Sequence, residues 1–123
     1  MTKAEEFDKA RRLAYKGDFS LVVKLYHPDC THFDYRVGME LNFDMQSAVM
    51  SAYENITFGP YRIIYENTDF LCIHRYVRNS PTREPAYWAM ISGINYKDGK
   101  VIWHETTRED LDYDPLESQN WNW

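Results

Sequence analysis

Between Ala86 and Asp110 the chain reads AYWAMISGINYKDGKVIWHETTRED, two apolar runs on either side of Asp98-Gly99. A tight β-turn needs backbone angles that Asp and Gly tolerate, so this dipeptide between alternating runs predicts a hairpin. Before the turn, Trp88, Met90, Ser92, Ile94 and Tyr96 share one face, and Tyr87, Ala89, Ile91, Gly93 and Asn95 share the other. After it, Ile102, His104, Thr106 and Arg108 alternate with Val101, Trp103, Glu105 and Thr107. Both runs carry apolar bulk on both faces, which predicts the centre of a sheet covered on both sides. His104 and Arg108 then share a strand face, where they are either solvated or line a cavity.

The rest of the sequence supplies what such a sheet packs against. At 123 residues the chain is expected to be a single domain, 1–123, with one core. Ten Tyr, six Phe and four Trp suit a large buried wall or an oligomer interface. A net charge of −5 argues against nucleic-acid binding, which needs a basic stripe. Cys30 and Cys72 are too few for a disulfide framework and read as free thiols. MTKAEEFDKARR lacks the apolar stretch of a signal peptide, and no run approaches membrane-spanning length, so a soluble, cytoplasmic protein is expected.

Thr2 with Glu5 three residues on is a capping-box pattern, and Phe7, Ala10, Leu13 and Ala14 follow at helical spacing with Arg11, Arg12 and Lys16 on the wet side. Gly17 closes that helix, Asp18 caps a second carrying Leu21, Val22 and Leu25, and His27-Pro28 stops it. His27 is then a structural residue at a helix end. Cys30–Tyr35 favours a strand with His32 and Asp34 on one face, and Gly38 marks a turn or bulge. Asp44 is the predicted cap of a third helix, with a stripe of Met45, Ala48, Val49, Ala52 and Tyr53 ended by Gly59-Pro60. Strands are predicted over 61–66 and 70–78, with a loop over 79–85 before the hairpin. In the second of these strands the face taken by His74 and Tyr76 is undecided. Residues 111–123 form an acidic, aromatic tail whose two tryptophans are expected to dock on the body. Helices early and strands late predict an α+β domain, with three N-terminal helices on a curved, mainly antiparallel sheet.

Three stretches together resemble the nuclear-transport-factor-like superfamily, which includes ketosteroid isomerase, scytalone dehydratase and the SnoaL-like polyketide cyclases. They are Gly17-Asp18-Phe19 through Tyr26-His27-Pro28-Asp29, then Cys30 to Asp34, and Asp98-Gly99-Lys100-Val101 through His104. The resemblance implies a cone-shaped sheet enclosing a cavity, a small apolar or aromatic ligand, and a homodimer formed through the outer sheet face. It also implies that the hairpin histidine, His104, points into the cone, and that Asp34 falls where ketosteroid isomerase keeps its general base. The two oxyanion donors of that isomerase correspond here to Ala10 and Ile91, neither of which can donate from its side chain, so ketosteroid isomerisation is not expected.

Asp34 and His104 are therefore the candidate catalytic pair, a carboxylate and an imidazole able to remove and return a proton, as isomerisation, dehydration or cyclisation requires. His32, Arg108, Tyr53, Ile91 and Ile102 are the candidate substrate-binding residues. The alternative is structural: Asp34 turns the chain near Gly38, His104 satisfies a cavity hydrogen bond, and the module binds a ligand or a protein without catalysis. His32, Asp34, His74 and His104 share no tight ligand motif, so no metal is expected, and no cofactor either, since no Gly-rich phosphate loop is present.

Overall fold

The computed structural model describes residues 1–53, 55–79 and 85–117. These form helices α1 (Lys3–Tyr15), α2 (Ser20–Leu25) and α3 (Phe43–Ala52). The strands are β1 (Tyr26–Asp34), β2 (Met39–Leu41), β3 (Ile56–Glu66), β4 (Phe70–Asn79), β5 (Ala86–Lys97) and β6 (Lys100–Leu111). They make one curved, unclosed sheet in the order β2-β1-β6-β5-β4-β3, antiparallel at every pairing except β1 with β6. The class is α+β, as predicted.

The hairpin β5–β6 lies in the middle of the sheet and turns through Asp98 (φ 54°) and Gly99 (φ 77°). Two successive positive φ angles match the twist of the flanking strands. Trp88, Ser92, Ile94 and Tyr96 face inward and are buried, whereas Ile91 is 42% exposed on the other face. The expectation of a sheet covered on both sides is thus corrected for the described residues of one chain, whose helices pack on the inner face only. Asn95 pairs with Trp103 but Tyr96 pairs with Val101, so Ile102 is the extra residue of a bulge. The bulge sends Val101, fully buried, into the core in place of Ile102.

Helix α1 starts and stops as its sequence dictates. The Thr2 hydroxyl accepts from the Glu5 amide, and Glu66 at the end of β3 accepts from the Ala4 amide. At its other end Gly17 (φ 95°) and Asp18 donate to the Ala14 and Leu13 carbonyls, closing the helix in a Schellman motif. The buried face is Ala4, Phe7, Asp8, Ala10, Arg11 and Ala14. Arg11, assigned to the wet side from sequence, is four residues beyond Phe7 and shares its face. Ala4, Phe7, Ala10 and Ala14 pack with Val22, Met50, Leu71, Ile73, Ile94 and Val101 as the main core. Asp8 ties this helix to the sheet, accepting from Arg75 of β4 at 2.6 Å and from Arg12 at 2.8 Å. The same Arg75 donates to the Gly59 carbonyl.

Several boundaries differ from expectation. The residue preceding α2 is Phe19, and Asp18 instead accepts from the Ser20 amide and hydroxyl. That helix ends at Leu25, and His27 lies in β1, its Nδ1 accepting from the Asp29 amide. Asn42, not Asp44, caps α3 through the Met45 amide. Starting there, the helix buries Gln46 and Met50, and leaves Met45 and Val49 at 48% and 40% exposure. Gly59-Pro60 lies inside β3 at a register shift rather than ending a helical region. Proline is tolerated there because β3 is an edge strand and the ladder is already interrupted. In β4, Leu71, Ile73, Arg75 and Val77 face inward, which puts His74 and Tyr76 on the outer side. Leu116, early in the tail, is buried; Trp121 and Trp123 lie outside the described residues.

Candidate functional site

A cavity of about 420 Å³ opens between α1, α3 and the inner face of the sheet. Phe58, Val77 and Trp88 form its apolar wall, with Tyr15, Ile56 and Met90 packed against them. The polar groups on its lining come mainly from α1, β1, the turn after β1, and β6: Arg11, His32, Asp34, Arg36, Thr106 and Arg108.

The parallel register of β1 against β6 sets this grouping, because it places His32 beside His104 and Asp34 beside Thr106. Side chains two residues apart on a strand share a face, so all four point the same way. The His32 and His104 rings stack at 4.3 Å between centroids with 8° between planes, and Phe7 meets His104 edge-on at 5.3 Å. Both imidazoles reach one hydroxyl: Thr106 Oγ1 lies 3.1 Å from His32 Nε2 and 3.0 Å from His104 Nε2. A hydroxyl has one proton to give, so at least one of the two rings donates from Nε2. Ser92 Oγ stands 3.5 Å from the same oxygen.

Burial keeps both rings neutral. Desolvation, with a smaller contribution from Arg11, lowers the His32 pKa to about 4, and nearby Asp34 opposes the shift. His104 has no solvent exposure and is held well below the ordinary imidazole range by burial, then by His32 and Arg11. Its Nδ1 has no hydrogen-bond partner among the described residues.

Asp34 ends β1 on the cavity lining, its Oδ1 accepting from the Arg36 amide at 2.9 Å and its carbonyl from the Gly38 amide. Arg108 lies over the Trp88 ring at 4.5 Å and pairs with Asp110 at 3.2 Å. Of the residues selected from sequence, Asp34, His32, Arg108 and Tyr53 line the cavity. His104 does not: it is sealed behind His32, and the imidazole presented to the cavity is that of His32. Ile91 lies on the opposite sheet face, and the bulge in β6 takes Ile102 away from the lining.

The backbone is similar to solved structures of known fold. IdmH from Streptomyces antibioticus, a proposed polyketide cyclase, superposes with a TM-score of 0.73 at 15% identity, over 86% of this chain and 91% of that one. A proposed SnoaL-like polyketide cyclase from Shewanella putrefaciens gives 0.68 at 10% identity, over 85% and 88%. An NTF-2 like protein of unknown function from Burkholderia xenovorans gives 0.64 at 19%, over 92% and 87%. The fold is nuclear-transport-factor-like. No protein-family model matches the sequence, and no curated protein matches it. Identities this low establish the fold and not the chemistry.

Within this nuclear-transport-factor-like cone, sequence reasoning missed Arg11, Thr106 and the wall formed by Phe58 and Trp88. A signal existed for the first two: Arg11 is at helical spacing from Phe7, and Thr106 is on the strand face of His104. The wall had none, because Phe58 and Trp88 meet only through the β3–β4–β5 pairing. No group of three or more His, Cys, Asp or Glu gathers among the described residues in a way that could hold a metal. No described helix is long and apolar enough to cross a membrane.

Proposed function

We propose that the chain is a small-molecule-binding protein of SnoaL-like type that performs acid–base chemistry on an apolar cyclic ligand. The observation that carries this reading is the cavity, in which a carboxylate and a neutral imidazole face a wall of Phe58, Trp88 and Met90. Asp34 is the proposed proton acceptor and His32 the group that donates or relays the proton. His104, the sequence candidate, acts through Thr106 and its stack on His32, positioning that ring rather than touching the ligand. The reaction class is proton removal and return, as in isomerisation, dehydration or cyclisation. Arg108 and Tyr53 border the ligand.

The test has two stages. Small phenols, lactones and steroids are screened for a rise in melting temperature, since a ligand of the native state stabilises by mass action. Compounds that bind are then followed by NMR for exchange of carbon-bound protons with deuterated water. Exchange that requires wild-type protein and is lost in Asp34→Asn, with binding retained, supports the reading. Binding without exchange in the wild type removes the catalytic part.

A second reading is favoured by a separate observation. The positions matching the isomerase's oxyanion donors hold Ala10 and Ile91, and Ile91 lies on the outer face of the sheet, 42% exposed among the described residues. In this reading the cone binds a ligand without catalysis, and the outer face joins two copies into a homodimer.

A further inference from the structure

We propose that the cavity takes an acid: a planar molecule whose anionic oxygen pairs with Arg11. This rests on the reading of the cavity as a small-molecule site and refines its occupant: an apolar ring system that carries one anionic oxygen.

Arg11 stands on the buried face of α1, is 6% exposed, and is part of the cavity lining. Its hydrogen bonds are to two phenols, Tyr26 Oη at 3.3 Å and Tyr15 Oη at 3.4 Å, both long. Among the described residues no carboxylate lies within ion-pair distance of it. Its neighbours are provided for differently: Arg75 and Arg12 share Asp8, and Arg108 has Asp110. A guanidinium does not lose its proton in a protein, so burial leaves Arg11 as a charge without a counterion. The chain is acidic, at −5, yet among the described residues Asp34 is the sole carboxylate on the cavity lining, against Arg11, Arg36 and Arg108. A cationic cavity in an acidic protein is a recognition feature rather than a consequence of composition.

The surroundings specify the rest of the molecule. The Arg11 guanidinium lies 5.9 Å from the Phe7 ring centroid and 5.5 Å from that of Tyr15, and the cavity continues to Phe58, Trp88 and Met90. A flat ring system fills the space between the aromatic wall and α1 and directs its charged oxygen to Arg11. The oxygen is that of a carboxylate, or of a phenol or enol ionised at neutral pH. In either form it lies beside His32 and near Asp34, with the cation drawing electron density from the ring.

Calorimetric titration with matched pairs tests this: 2-naphthoate against 2-naphthamide, and 4-nitrophenolate at pH 8 against 4-nitroanisole. In the wild type at least one anion is expected to bind about tenfold or more tighter than its neutral partner. The pair with the larger ratio distinguishes a carboxylate from a phenolate. In Arg11→Gln, whose amide still reaches toward Tyr26, that anion loses the advantage while its neutral partner changes by less than about threefold. Equal binding of both members of each pair, or a ratio that survives Arg11→Gln, overturns the inference and leaves the small-molecule site standing. Failure of all four compounds to bind the wild type overturns both. If Arg11→Gln does not fold, the wild-type ratio is expected to persist in Arg36→Gln and in Arg108→Gln; its loss in either assigns the anion to that residue and overturns the inference.

Discussion

His32 shows how one side chain's surroundings become a property of the whole protein. Its folded pKa of about 4 lies below the ordinary 6.5, so between these values the unfolded chain binds a proton that the folded chain refuses. Stability therefore falls as pH drops from about 6.5 to about 4 and is recovered as pH rises. The loss assigned to this ring is on the order of 2–3 kcal/mol. His104 is displaced in the same direction, and its share persists to lower pH. Urea midpoints measured between pH 4 and 7.5 should slope upward with pH in the wild type and more gently in His32→Asn. Equal slopes would mean that His32 titrates as it does in the unfolded chain. Neither effect was legible from sequence. His32 and His104 are 72 positions apart, and the parallel pairing of β1 with β6 makes them neighbours.

Among the elements, β3 departs furthest from its sequence pattern. Gly59-Pro60 is ordinarily a chain break, yet here it bends an edge strand so that the Gly59 carbonyl meets Arg75. A Cβ on Gly59 would lie 2.6 Å from the Tyr76 carbonyl oxygen, which belongs to the neighbouring strand's backbone and has little room to withdraw. Gly59→Ala is expected to destabilise by about 1–3 kcal/mol, the range for overpacking, with a lower midpoint in chemical unfolding. An unchanged midpoint would mean that β3 shifts freely. Helix α3 carries the opposite lesson. Its apolar residues suggested one buried stripe, but packing against β1 selected Gln46 and Met50 instead. A helix with apolar residues on more than one face leaves that choice to its neighbours.

At the scale of the whole molecule, no described helix covers the outer face of the sheet. Ile91 is 42% exposed at its centre, and Tyr65, paired with Cys72 on the same face, is exposed on the edge strand β3. Apolar residues of this kind on a central sheet are expected to be covered by a second copy. Sedimentation of the wild type should then give a dimer, and Ile91→Glu a folded monomer with unchanged circular dichroism. A monomeric wild type would remove the homodimer from the proposed function.

Local chemistry determined the class of this protein: alternation and the Asp98-Gly99 turn specified the central hairpin, and Thr2 and Gly17 delimited the first helix, because those signals act within a few residues. The site was decided by tertiary structure. Strand register placed His32 in front of His104, the bulge at Ile102 chose Val101 for the core, and packing of α1 enclosed Arg11 with no counterion among the described residues. These are contacts between distant segments, and no local preference encodes which of several compatible faces a fold turns inward.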